Sequence, residues 1–115
     1  MGGVPTPERL HNLCAALDGG DPGLQAWLMD NKIATLVADN YTVERIEPAA
    51  RQGPHLLPLH HFCLVKRGIR LGELWHLSEL AGALRARRRT AFLLTAPPLR
   101  LPGAVGSPVT PVATV

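Results

Sequence analysis

Between Leu59 and Trp75 the chain carries two adjacent histidines, an apolar run, two glycines and a carboxylate, and no other stretch restricts the backbone as tightly. Pro58 sets the start of a short helix that runs through Cys63, Leu64 and Val65, and Gly68 suits its left-handed C-terminal cap. Ile69 to Leu71 reads as a brief extended piece, and Gly72 is expected to bend the chain before Glu73. The carboxylate of Glu73 then folds back toward His60 and His61. Imidazole and carboxylate both ligate zinc or a similar divalent ion, and the same pair serves equally as a base and its orienting acid. The plainer alternative is a surface or structural histidine pair beside an apolar helix.

A chain of 115 residues makes one small domain with a modest core. Its hydrophobic share of 46% excludes a disordered chain, but five aromatic residues (Trp27, Tyr41, Phe62, Trp75 and Phe92) leave most of the packing to aliphatic side chains. Thr6-Pro7-Glu8 has the order of an N-cap, an N1 proline and a first-turn acid, and Leu10, Leu13, Cys14 and Leu17 follow on one helical face until Gly19 and Gly20. Asp21-Pro22 repeats the start signal for a second helix, with Leu24, Trp27 and Leu28 as its apolar stripe and an end near Asn31. Ile33 to Ala38 reads as a buried strand closed by Asp39-Asn40, and Thr42 to Glu47 as a further extended piece. Pro48 to Pro58 is an exposed loop.

Past Trp75, Ser78 is placed to cap a helix that turns Leu80, Ala81 and Leu84 inward and ends in Arg85, Arg87, Arg88 and Arg89. Cations are favoured at that end by the helix dipole, and a net charge of +3 gives no case for nucleic acid as a partner. Thr90 to Thr95 reads as a second apolar strand, kept at a sheet edge by Pro97 and Pro98, and Val112 to Val115 as a last short one. Cys14 and Cys63 lack CxxC spacing and read as structural thiols in a cytoplasmic protein. No apolar run approaches a membrane span, and the N-terminus lacks a signal-peptide layout.

Taken in order, Trp27-Leu28, Ala38-Asp39-Asn40, Val43-Glu44, Leu59-His60, Gly72-Glu73-Leu74-Trp75, Leu77 to Leu80, Ala96-Pro97-Pro98-Leu99, Gly103 to Pro108 and Pro111-Val112-Ala113 resemble one known pattern. It is that of the C-terminal portion of the cyclase family of metal-dependent hydrolases, which includes kynurenine formamidase and isatin hydrolase. The resemblance covers nearly the whole chain, residues 1–115, and is most specific in Gly-Glu-Leu-Trp and the glycine-rich ending. It implies an α/β fold, a mixed sheet flanked by helices, and an arylformamidase-like hydrolysis of linear or cyclic amides of the kind used in tryptophan catabolism. A divalent metal, zinc or manganese, would activate the water. The implied ligands are Glu73 and one of His60 and His61, with the histidines also as catalytic residues; His60 fits the spacing from Leu59 and Gly68 and is narrowly preferred, and His61, which fits a shorter spacing found in other members, is kept beside it. Asp39, Asn40 and Glu44 also match the pattern and read as strand-end and packing residues.

One departure qualifies the expected activity. The family's main metal motif, His-x-Gly-Thr-His-x-Asp, occurs nowhere in this sequence. A catalytic zinc site has about three protein ligands and an open position, so the histidine and Glu73 make an incomplete set and metal binding is expected to be weak or absent. The expectation is a fragment that lacks the N-terminal half, whose partners are a small amide substrate and either that half or further copies of itself. The alternative is a non-catalytic remnant or interaction module. Ser107, within Gly103 to Pro108, reads as a turn residue before it reads as a pocket residue.

Overall fold

The computed structural model describes residues 15–46 and 55–115. Helices alternate with a small parallel sheet and a small antiparallel one, a general α/β mixture. The chain divides into two compact units, Met1–His76 and Leu77–Val115.

In the first unit, α1 spans Pro22–Asp30. It starts where the sequence places it: the Asp21 side chain accepts a 2.7 Å hydrogen bond from Gly23 N, and Pro22 opens the first turn. Leu28 is fully buried and Leu24 packs beside the core, while Trp27, expected on the same inner stripe, is 53% exposed. Strand β1 (Thr35–Val37) lies parallel to β2 (Arg70–Gly72), pairing Thr35 with Arg70 and Val37 with Gly72. Parallel neighbours need a crossover, and the crossover carries α2 (Pro58–His60), which continues directly as a π-helix over His61–Arg67.

That continuous helix turns Leu59, Phe62 and Cys63 inward at i, i+3 and i+4, and leaves Leu64 and Val65 outside. Together with Leu28, Val43 and Ile69 they form the buried core, flanked by Leu24, Ile33, Leu36, Ala38 and Leu71. Gly68 ends the helix at φ 68°, as the sequence predicts, with its N–H on Cys63 O. The π winding has no counterpart in the sequence reading. Such turns are rare and concentrate at functional sites.

Further expectations change in this unit. The strand expected to be buried over Ile33 to Ala38 is only Thr35–Val37, with Thr35 exposed and Leu36 and Val37 half-buried. Leu17, assigned to a helical face, instead forms a parallel bridge with Glu44, with Leu17 N donating to Val43 O and Arg45 N to Leu17 O; Leu10, Leu13 and Cys14 lie outside the described residues. Thr42 to Ile46 is not a strand, because Val43 takes a left-handed φ of 59° and only Glu44 forms a bridge; Glu47 and the loop from Pro48 to Pro54 lie outside the described residues. Gly72 is not the bend: it is the last residue of β2, and the left-handed residue is Leu74 at φ 58°. Position 72 needs glycine for close approach, since a Cβ there would come within 3.0 Å of the Trp75 ring and 3.1 Å of Val37 Cγ2.

The second unit holds α3 (Ser78–Arg87), β3 (Leu93–Thr95) and β4 (Val112–Thr114). Ser78 is the first helical residue rather than the cap; Leu77 takes that position without a side-chain hydrogen bond. Leu80, Ala81 and Leu84 are half-buried. The strands pair antiparallel, Leu93 with Thr114 and Thr95 with Val112, and the bridge between Pro98 and Val109 continues the same register. Ser107 Oγ accepts from Leu99 N at 2.8 Å and reaches the carbonyls of Leu99 and Pro108, so it clips the glycine-rich loop to the ladder as a turn residue does.

Among the described residues, no helix is long and apolar enough to cross a membrane.

Candidate functional site

His60 stands at the junction of the α- and π-helical turns with its ring between two carboxylates. Nδ1 lies 2.8 Å from Glu44 Oε1 and Nε2 lies 2.9 Å from Glu73 Oε1. A carboxylate only accepts, so a ring held between two of them donates from both nitrogens unless one acid carries the proton.

The two acids are unlike each other. Glu44 is fully buried, whereas the Glu73 and His60 side chains keep 32% and 22% of their exposure. A buried carboxylate is tolerated only when its lone pairs are filled, and those of Glu44 are. Besides the ring nitrogen, its two oxygens accept Leu59 N and His60 N, each at 2.8 Å. Those two N–H groups belong to the first turn of the Pro58–Arg67 helix, which has no cap from its own N-cap residue, Leu57. Glu44 thus caps the helix from a distant segment, where the dipole favours an anion.

The backbone around both acids is fixed by one residue pair at the end of β1. Ala38 O accepts Trp75 N at 3.1 Å, and Asn40 O accepts Leu74 N at 3.0 Å, which holds the turn that presents Glu73. The Asn40 side chain accepts Val43 N at 2.7 Å and donates to Ala15 O at 2.9 Å. A left-handed β-branched residue is costly, about 1–3 kcal/mol, and Asn40 holds Val43 in that conformation so that Glu44 points into the helix end.

Of the sequence-predicted ligands, His60 and Glu73 are brought together. The neighbouring His61 points elsewhere: its ring stacks on His55 with centroids 3.6 Å apart and planes 16° from parallel. Loss of water around the ring, then the charges of His55 and Lys66, pull the His61 pKa below its ordinary value. Cys63 is buried beside the network; burial, then the charge of Glu44, pushes its thiol up, away from nucleophile chemistry.

His60 Nε2 and Glu73 are suitable donors for a divalent ion, and Glu44 on Nδ1 is the outer partner that ligating histidines ordinarily have. As a complete site the set falls short, since among the described residues no group of three or more His, Cys, Asp or Glu side chains is placed to hold a metal. Without an ion, the same atoms form a buried acid, an imidazole and a half-exposed carboxylate, an arrangement able to orient a ring and move a proton at Nε2.

Glu44 is the component that the sequence reading passed over as a packing residue. It lies sixteen residues before His60, with a proline-containing loop between, so no local spacing connects them. The only sequence signal is a charged residue directly after the apolar Val43 in a segment read as extended.

Compared with protein-family models, with curated proteins and with solved structures, the chain matches none.

Proposed function

We propose that this chain is the C-terminal part of a cyclase-type, metal-dependent amide hydrolase of the kynurenine formamidase kind, and that it supplies part of the metal site. The observation that carries this reading is the 2.9 Å approach of His60 Nε2 to Glu73 Oε1, with Nδ1 held by a buried acid. It supports the ordered sequence resemblance, which places a histidine and Glu73 in the same role. His60 and Glu73 hold the ion, zinc or manganese, and Glu44 keeps the imidazole oriented. When bound, such an ion supplies an activated water for attack on an amide carbonyl. A separate N-terminal half, or a further copy of the chain, would complete the set. The mixed-sheet cyclase fold is part of the same proposal.

The second reading is a non-catalytic member of that lineage, or an interaction module. It is favoured by the lack of a third donor among the described residues.

Zinc and manganese content after gel filtration separates the two readings, measured beside Glu73→Ala. About one ion per chain, lost in the variant, supports the first, and hydrolysis of an N-formyl aryl amide is then the activity to assay. A metal-free wild-type chain, also after equilibration with either ion, means that the chain by itself is not an enzyme and favours the second.

A further inference from the structure

We infer that Glu44 is the positioning residue of this site, fixing which nitrogen of His60 faces Glu73, and that it can do so only because residue 19 has no side chain. The inference deepens the proposed metal reading and rests on it for its consequence, although not for its geometry.

The alternatives for His60 are two. A ring whose Nδ1 keeps its proton presents Nε2 to a ligand; a ring free to turn or to exchange tautomers presents either nitrogen, or neither. Glu44 removes that freedom twice over. Oε1 lies 2.8 Å from Nδ1, and the same carboxylate takes the backbone N–H of His60 and of Leu59, so the acid that holds the ring also holds the turn bearing it. Backbone and ring are registered by one buried group, and Glu44 as a carboxylate, which only accepts, makes Nδ1 the donor. The neighbouring His61, held in its stack with His55, has no such partner among the described residues.

Room for this acid comes from Gly19. The sequence reads Gly19 as a helix stop, but its φ is not left-handed and it is buried. A Cβ built there would overlap Glu44 Oε2 and approach Leu59 Cβ to 2.8 Å. Neither contact can be relieved cheaply, because Glu44 is fixed by three donors and Leu59 is fully buried in the core. Position 19 thus determines the site without touching His60.

The plainer account is that Glu44 is a helix cap and nothing more. Long-range 15N–1H correlation spectra of the histidine rings in the full chain separate the two accounts, combined with zinc affinity and thermal melting. Nδ1–H is expected at His60, both in the metal-free chain and with zinc present. Glu44→Gln keeps the shape but offers three N–H groups one accepting oxygen and one NH2 that only donates, so it should loosen the fixed Nδ1–H and weaken zinc binding about 10–100-fold while still melting cooperatively. Gly19→Ala should do the same from the opposite side. A Gln variant that melts earlier but keeps both the tautomer and zinc affinity within twofold overturns the inference and leaves the cap alone. An unprotonated Nδ1 at His60 in the wild-type chain overturns it with no variant needed. Failure of the wild-type chain to bind zinc would sink the metal reading, while the ring spectra would still decide the role of Glu44.

Discussion

The two units of this chain solve the same problem with unequal means. The unit up to His76 holds every buried apolar residue described, Leu28, Val43, Leu59, Phe62, Cys63 and Ile69, and it places a fully buried carboxylate among them. In the unit from Leu77 onward no side chain is buried: Leu93 is 67% exposed, Leu99 59% and Val112 55%. Five arginines stand against one glutamate there, so charge is also unevenly divided. The first unit is specified by packing around a polar contact that has one solution. The second is a helix and a hairpin, the hairpin held by backbone pairing and the Ser107 clip, and a two-stranded hairpin by itself is marginal in water. Chemistry that needs sub-ångström placement belongs in the first.

The sharpest way to break this comparison is to empty the polar contact. Glu44→Ala removes the acceptor of three hydrogen bonds at a buried site and leaves two helix N–H groups and the His60 ring without it. Removing one partner of a buried charged network costs about 3–5 kcal/mol, a large fraction of the stability of a small domain. Urea unfolding read at Trp27 and Trp75 should show that loss. A change below about 1 kcal/mol would mean that Glu44 is less committed than its three donors indicate. Gly19→Ala should follow at about 1–3 kcal/mol, the usual cost of overpacking, through contact with the same carboxylate and Leu59.

In the second unit the same class of experiment should do little. Leu93→Ser changes a side chain that is 67% exposed, and such substitutions ordinarily fall within about 0.5 kcal/mol. Hydrogen exchange sharpens the contrast further. Amides of Leu93 to Thr95 should exchange well before those of Phe62 and Cys63, because local opening is easiest where few apolar contacts oppose it. Equal protection in both segments would show that the hairpin gains a cover in solution.

The sequence was informative where the physics is local. Asp21-Pro22 announced α1, Pro58 and Gly68 bounded the second helix, and the extended pieces at Ile69 to Leu71 and Val112 to Val115 lie within a residue of β2 and β4, since caps, proline and glycine act over a few residues. The fold-back of Glu73 toward His60 was legible for the same reason, even though the turn is made at Leu74 and not at Gly72. What escaped was non-local. The site of Glu44 and the seat that Gly19 provides for it depend on segments far apart in sequence. Apolar content also misled in one direction: Thr90 to Thr95 signals a demand for burial, which the chain does not meet for that strand.

The smallest expected effect concerns the His55–His61 stack at the rim of the first unit. The pKa of His61 is below its ordinary value in the folded chain, so the native state favours the neutral ring and the unfolded state binds the proton more readily. The contribution of this ring to stability is therefore complete above the unfolded value of about 6.5 and is lost as pH falls through that value toward the folded one. His61→Phe keeps an aromatic face against His55 and does not titrate. Between pH 7.5 and 5.5 the wild-type melting temperature should fall more than that of the variant, by a margin that narrows as salt screens the repulsion from His55 and Lys66. Desolvation, the larger cause of the shift, is insensitive to salt, so a remainder should persist at high ionic strength. Parallel pH profiles for the two proteins would mean that the stacked ring carries no proton-linked stability, and that the rim, unlike the His60 network, is indifferent to charge.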